Sequence, residues 1–281
     1  MHAERDFYLI GVIHLMALPG APQGSLGLNT VLERAMADAD TLVRGGIHHC
    51  IIENFWDSPF PADDSLPHVA ACMTRVAGKI RDELGDALQL GINVLRNDSI
   101  SAMAVAVAAG AEFIRVNVHV GSTWTDQGLI QSRAHKLMQY RRSLDAGGLS
   151  ESVRRVAIAA DVMVKHGSPA GNASVVDVAK DAVFRGGADS LIVTGTGTGR
   201  PADMQQVHEL KKSLPQVPIW VGSGVNIENI DGWKSAADAA IVGTYLHRDS
   251  DLRAPIDVQR VKALVGVVVC STDPENRAQT R

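Results

Sequence analysis

The chain is poor in the features that mark several function classes. It holds 3 cysteines in 281 residues, Cys50, Cys72 and Cys270, scattered without metal-ligand spacing. An odd, unpatterned set speaks against a disulfide framework and suits a reducing cytoplasm, each thiol serving as a small apolar side chain. Charge of one sign is also lacking. A net charge of −4 gives no global reason to expect nucleic acid or an anionic membrane as partner. No apolar run reaches membrane-spanning length without charges. The N-terminal run from Phe7 to Leu18 is broken by His14 and stopped by Pro19-Gly20, too short to span and poor as a signal peptide. A dinucleotide glycine fingerprint near the start is missing, and no Ser/Pro-rich linker divides the chain. These absences describe a soluble, cytoplasmic chain without an integral membrane segment.

What is present is a rhythm. Short β-branched runs recur at Leu9–Leu15, Cys50–Glu53, Leu88–Val94, Phe113–Val118, Val156–Val164, Ser190–Val193, Ile219–Val221 and Ala239–Val242. Helix-compatible stretches lie between them: Asn29–Arg44, Ser65–Leu84, Ser99–Ala109, Ile130–Leu144, Ser174–Arg185, Ala202–Leu214 and Ile227–Ser235, with a last one from about Asp257. Eight strand signals, each followed by a helix signal, predict a single (β/α)₈ TIM barrel, a fold of roughly 250 residues. The reading is one domain over 1–281, with its core at about 8–265 and a polar tail, Cys270–Arg281. Four helix-to-strand passages can be laid on one another: "GIHHCIIE", "GAEFIRVN", "GADSLIVT" and "AADAAIVG", starting at Gly46, Gly110, Gly187 and Ala236. Each has a small residue closing the helix, an apolar strand, and a polar or glycine stop seven places on. Period-2 alternation puts Glu53 with Ile51, Asn117 with Arg115, and Thr194 with Ile192 on the inward face.

In this register the strands end at His14, Glu53, Asn93, Asn117, Lys165, Thr194, Ser223 and Gly243. Buried polar groups cost about 1–3 kcal/mol each if unpaired, so a ring of them is poor core filling. Barrel enzymes place their chemistry at this end of the strands. Glu53 and Asp161 are the acid/base candidates. Lys165 and His14 are read as stabilising negative charge, with Asn93 and Asn117 orienting hydroxyls. Plainer readings exist for each: a hydrogen-bonded histidine at the mouth, Glu53 as partner of Arg115 or Lys165, asparagines tying loops. His48, His49, His166 and His247 form no spaced metal motif; no cofactor is expected, a divalent metal being the alternative.

Glycine supplies the remaining signal. Strand 7 runs into "IWVGSGVN", strand 8 into "IVGTYL", and strand 6 into "VTGTGTGRP". Glycine-rich ends on strands 7 and 8 are the usual barrel phosphate site. Gly222, Ser223 and Gly224 with Gly243 and Thr244 are therefore read as a phosphate grip. Thr194, Gly195, Thr196 and Arg200 form a loop reaching the ligand. The "GTGTG" run lacks a GK[ST] ending and sits late in the chain, so no nucleotide-triphosphatase motif follows.

The blocks "LIGVIHLMALPGAPQ", "VNVHVG", "ADVMVKHGSP", "LIVTGTGTGRPAD", "VPIWVGSGVNIENI" and "ADAAIVGTYL" together resemble the BtpA/SgcQ family from about residue 8 to 265. The resemblance implies a barrel of the ribulose-phosphate-binding type. It carries over His14, Asn117, Asp161, Lys165, His166, Thr194, Gly195, Gly222 to Gly224, Gly243 and Thr244 as motif positions. The family takes its name from photosystem I biogenesis, and it has relatives among sugar-uptake and sugar-phosphate enzymes. Two departures stand out: Ala17 where members often have proline, and His247 where many have lysine, which makes one basic contact weaker or pH-dependent.

The functional expectation is an enzyme acting by acid/base chemistry on a phosphorylated sugar or a sugar-phosphate-bearing nucleoside, as hydrolase, lyase or isomerase. The alternative is a non-catalytic assembly or regulatory factor that retains a phosphate site. A membrane-associated stability factor finds no amphipathic basic helix to support it. The expected partner is a small phosphorylated ligand, with no nucleic acid and a homo-oligomeric state. Trp56, Phe60 and Trp124 fall in long loops, where they would cover a partner or the pocket.

Overall fold

The computed structural model describes residues 7–62, 64–146, 155–163, 167–169, 171, 173–195, 197 and 200–270. Along the chain run β1 (Tyr8–His14), α1 (Leu28–Gly45), β2 (His49–Glu53), α2 (Pro67–Leu84), β3 (Gln89–Asn93), α3 (Ser99–Ala109) and β4 (Phe113–Val116). There follow β5 (Ser122–Thr125), β6 (Gly128–Gln131), α4 (Ala134–Ala146), β7 (Ala157–Met163), β8 (Gly167–Pro169) and α5 (Val175–Lys180). The last part holds β9 (Ser190–Thr194), α6 (Met204–Ser213), β10 (Ile219–Gly222), α7 (Ile230–Ala236), β11 (Ala239–Val242) and α8 (Val258–Cys270). Eight strands close a parallel barrel in the order β1-β11-β10-β9-β7-β4-β3-β2. This is the (β/α)₈ fold that the alternation predicts. Among the described residues no helix is long and apolar enough to cross a membrane.

The repeat has a backbone cause. Gly46, Gly110 and Gly187 all lie in the left-handed region, at φ 95°, 67° and 71°. A residue without Cβ turns the chain there at no steric cost as the helix gives way to the next strand. The strands are buried on both faces, as a parallel sheet covered by helices must be. Outward residues such as Leu9 and Ile13 join the large layer shared with the helices. Inward residues form a second cluster of Ile10, Val12, Ile51, Phe113, Ala159, Ile192, Trp220, Ala239 and Ile241. Trp220 meets Phe113 edge-on at 5.3 Å, an arrangement aromatic rings favour.

Gly91 makes room for that ring. A Cβ there would lie 2.2 Å from Phe113 Cζ. Gly91→Ala is therefore expected to cost about 1–3 kcal/mol through overpacking. A lower urea midpoint at unchanged slope would register it. An unchanged midpoint would mean the aromatic layer can yield.

Two expectations need correction. The helix read as Ile130–Leu144 starts only at Ala134, because Ile130 belongs to β6. Trp124 is not in a loop but on β5, which pairs antiparallel with β6 and β8 in a small separate sheet. The hairpin escaped notice because its strands have only four residues each. Its two-residue turn, Asp126-Gln127, also carries glycine one place late, at Gly128, so the Asp-Gly signal of a tight hairpin is absent. The stretch read as Ser174–Arg185 is helical from Val175, with Ser174 as its N-cap, and changes from α5 to a π-helical turn at Asp181–Arg185.

Candidate active site

Strand register decides which polar ends meet. His14 pairs in register with Glu53, and Glu53 with Asn93, so three strand ends lie at one height. Asn93 Nδ2 accordingly donates to Glu53 Oε2 at 2.6 Å. Ile92 is level with Ile114, which sets Arg115 at the height of Asn93. The next strand sits differently: Arg115 is level with Ala159, so Asp161 stands one inward position higher, beside Asn117.

That offset builds the centre of the site. Arg115 Nε and Nη2 donate to the two oxygens of Asp161, each at 3.0 Å, and Asn117 Nδ2 adds a bond of 2.9 Å to Oδ2. Glu53 Oε2 lies 3.9 Å from Arg115 Nη1. All four groups are buried, none more than 5% exposed. A bidentate guanidinium–carboxylate pair is among the stronger polar contacts, and burial makes it stiff. Burial alone would push the Arg115 guanidinium down. The Asp161 charge and hydrogen bonds, with Glu53, outweigh that and hold it above its ordinary value. Arg96, on the turn after β3, goes the other way: burial pushes it below its ordinary value against the pull of Asp161 and Glu53.

Two clefts open on this centre. One, of about 170 Å³, runs from Val12, His14, Glu53 and Arg115 to Ser223–Asn226 and Gly243–Tyr245, with Ile241 and Ser250 completing its lining. It joins the expected acid/base end to the glycine ends of β10 and β11. The other, of about 530 Å³, is lined by Glu53, Arg96, Arg115 and Asn117 together with Phe55, Trp56, Phe60, Asp126 and Gln127. The second volume falls in the range of small-molecule sites, and the first lies below it. Asn117 Oδ1 is buried beside the second cleft and has no partner among the described residues, a polar atom left for a ligand to satisfy.

The glycine ends differ in what they require. A Cβ on Gly222 would find only ordinary contacts, the nearest at 3.4 Å, so packing does not demand glycine there. Ser223 and Gly224 lie consecutively in the left-handed region, at φ 67° and 63°. For serine that conformation carries strain, which in native structures gathers at ligand sites. The turn is braced by Asn226 and Asn229: Asn229 Nδ2 donates to Gly224 O at 2.8 Å, and Asn226 N donates to Asn229 Oδ1 at 3.0 Å. Among the described residues the amides of Gly224, Val225, Thr244 and Tyr245 donate to nothing. They form a rim of donors on the first cleft, the kind of backbone concavity that takes an anion. Gly243 is also needed for space, since a Cβ there would lie 2.8 Å from His14 Cε1.

The loop after β9 is less committed to the clefts. Thr194 Oγ1 donates to Met163 O at 3.1 Å, tying β9 to β7. Gly195 is pressed against the Arg200 carbonyl, 2.0 Å from where a Cβ would stand, and Arg200 itself is exposed. Lys165, His166 and Thr196 lie outside the described residues. Among the described residues no group of three or more His, Cys, Asp or Glu side chains could hold a metal ion. Arg96 and the Asn226–Asn229 brace were missed from sequence. For Arg96 a signal existed: a basic residue three places beyond a polar strand end, on the face where barrel loops carry function.

The BtpA family matches residues 5–269 of the chain. The photosystem I biogenesis protein BtpA of Synechocystis is 39% identical over 257 residues, covering 92% of this chain and 86% of that protein. Among solved structures, native KDPGal superposes with a TM-score of 0.56 at 17% identity, over 97% of this chain and 99% of the other. Phosphoribosyl anthranilate isomerase of Thermus thermophilus does so with 0.55 at 11%, over 95% and 100%. At such identities these two likenesses show the barrel fold alone.

Proposed function

The chain belongs to the BtpA family, and from that footing we propose that it is a phosphate-binding barrel enzyme working on a phosphorylated sugar, or a nucleoside bearing one, by acid/base chemistry. One observation carries the reading. A single cleft runs from an amide-rimmed turn on β10 and β11 to a buried carboxylate and guanidinium, Glu53 and Arg115. Phosphate held at the rim supplies binding energy that positions the reacting end over Glu53. Both oxygens of Asp161 are engaged by Arg115 and Asn117, so proton transfer falls to Glu53, which Asn93 orients. Asp161 then serves to aim Arg115 at developing negative charge. Asn117 Oδ1 accepts from a ligand hydroxyl. Lys165, outside the described residues, stays proposed from the sequence pattern alone as a further cation. The isomerase neighbour, whose name includes a phosphoribosyl group, fits the proposed ligand class by analogy of fold only.

A second reading rests on the Synechocystis relative, named for photosystem I biogenesis: an assembly factor that retains the anion site as a sensor. A sensor needs the amide rim but not a buried ring of Glu53, Asn93, Arg115, Asn117 and Asp161. The ring favours the enzyme.

Thermal unfolding in the presence of phosphorylated sugars, nucleotides and their unphosphorylated counterparts tests the anion site. A ligand at 100 times its Kd adds about 2.7 kcal/mol of stability. Stabilisation is expected to require the phosphate, to survive Gly222→Ala, whose methyl the structure accommodates, and to vanish in Gly222→Asp. Stabilisation by no phosphorylated compound would return these glycines to ordinary turns and bring the assembly-factor reading forward.

A further inference from the structure

The two clefts share Glu53 and Arg115 but differ in size and chemistry. The smaller, about 170 Å³, carries the amide rim and is below the size of a small-molecule site, so a ligand anchored there extends into the larger, about 530 Å³. The larger is walled by three aromatic side chains, Phe55, Trp56 and Phe60, all half-buried in the segment after β2. Phe55 and Trp56 meet edge to face, with ring centroids 5.3 Å apart and an interplanar angle of 87°. Further contacts hold both rings. Phe55 lies edge-on to His14 at 4.8 Å, and the Arg253 guanidinium stands 5.0 Å over Trp56. Rings fixed in advance lose little freedom when a flat group packs beside them.

Two amides in the same lining have an oxygen to spare. Asn117 Nδ2 donates to the Asp161 carboxylate at 2.9 Å, and Gln127 Nε2 donates to the Asp126 carboxylate at 2.6 Å. An ionised carboxylate only accepts, so each amide turns its NH₂ that way and keeps its oxygen as an acceptor. Asn117 Oδ1 and Gln127 Oε1 are both buried, and neither has a partner among the described residues. A buried acceptor left unpaired costs stability, which a donor on a ligand restores. The two stand in different places. Asn117 directly follows β4 and touches Asp161, whereas Gln127 sits on the turn of the β5–β6 hairpin, in the sheet outside the barrel.

We propose that the larger cleft is a nucleobase subsite: a flat heteroaromatic ring lies against Phe55, Trp56 and Phe60, and one of its N–H groups donates to Gln127 Oε1. The inference rests on the reading of the smaller cleft as a phosphate site, and it narrows the ligand class to a nucleotide. The order of the chemistries supports it. The amide rim, then Glu53, Arg115 and Asn117, then the aromatic walls with an amide acceptor follow one another as phosphate, sugar and base do in a nucleoside phosphate. Asn117 Oδ1 takes a sugar hydroxyl, in the middle of that order. A hydrocarbon ring would leave Gln127 Oε1 unpaired, and a second phosphate would face the Asp126 carboxylate. A base supplies both the stacking face and the donor.

Isothermal titration calorimetry of the full-length chain tests the base subsite and the phosphate site separately. The probes are the 5′-monophosphates of adenosine, guanosine, cytidine and uridine, the matching unphosphorylated nucleosides, and ribose 5-phosphate. At least one nucleotide is expected to bind about tenfold or more tighter than ribose 5-phosphate, the gain that stacking one base on aromatic side chains gives. That preference is expected to fall in Gln127→Leu, which deletes the acceptor, and in Phe60→Ala, which removes one wall. Equal affinity for ribose 5-phosphate and every nucleotide overturns the base subsite and leaves the phosphate site standing. A nucleoside that binds as tightly as its nucleotide, with the loss in the variants, upholds the base subsite and overturns the phosphate site. Binding of none of the probes overturns both. A preference retained in the folded variants puts the base elsewhere and overturns the assignment of this cleft. If one variant does not fold, the other decides.

Discussion

Asp161→Ala is expected to cost about 3–5 kcal/mol of folding stability, the usual result of removing one partner from a buried ion pair. The loss comes less from the bond than from what remains. Arg115 is 5% exposed, and Asp161 takes two of its N–H donors at 3.0 Å. Without Asp161 the guanidinium keeps its burial penalty and, among the described residues, only the Glu53 carboxylate, at 3.9 Å, to offset it. Urea unfolding measures this as a lower midpoint at unchanged slope. A cost below about 1 kcal/mol, the scale of an exposed pair, would show that Glu53 or water takes over the guanidinium and that the pair does not hold the site. A second variant separates charge from packing. Replacing a buried pair by apolar residues of similar volume is often neutral or stabilising by about 1–4 kcal/mol. Arg115→Met combined with Asp161→Leu should therefore recover most of the stability while abolishing ligand chemistry. That outcome would place the pair in the barrel for its site and not for its fold.

The same pair shows how far the sequence could be read. Alternation of apolar and polar residues, with a polar stop at each strand end, was enough to find the barrel and to put Glu53, Asn93, Arg115, Asn117 and Asp161 on the inward face. The glycines closing the helices marked where strands begin, because three of them need a conformation that a side chain opposes. What alternation cannot give is relative height. Arg115 was weighed as a partner for Glu53, and it is level with the Glu53–Asn93 layer. The register of β4 against β7 lifts Asp161 one inward position and hands it the guanidinium instead. No residue pattern within either strand encodes that offset; it arises when the barrel closes. The contact between His14 and His247 was hidden for another reason. It joins residues 233 apart in the chain, brought together only because β1 and β11 are neighbours in the closed sheet. The β5–β6 hairpin, too short to show a period, stayed silent as well.

If Asp161 aims Arg115, the proton must move through Glu53, and Glu53→Gln should show it. The substitution preserves shape, and the amide oxygen can still accept from Asn93, which donates to Glu53 Oε2 at 2.6 Å. Arg115 keeps Asp161, so folding should be little changed. What is lost is an atom able to take or give a proton, a loss worth about 10²–10⁴-fold in rate for a general acid or base. The amide rim lies on β10 and β11, across the cleft from β2. Phosphate-dependent stabilisation should therefore survive in Glu53→Gln while turnover of the stabilising compound falls by that factor. Such a split between binding and rate is the mark of a group acting in the transition state. The opposite split, with turnover intact, would move the proton to another group at the strand ends. Loss of binding with loss of turnover would make Glu53 a ligand contact, and the carboxylate would then be read as holding a sugar hydroxyl. The Asp161 variants keep these outcomes apart. They should damage stability and the aim of Arg115 together, whereas Glu53→Gln should leave a folded, ligand-binding barrel that does not turn over.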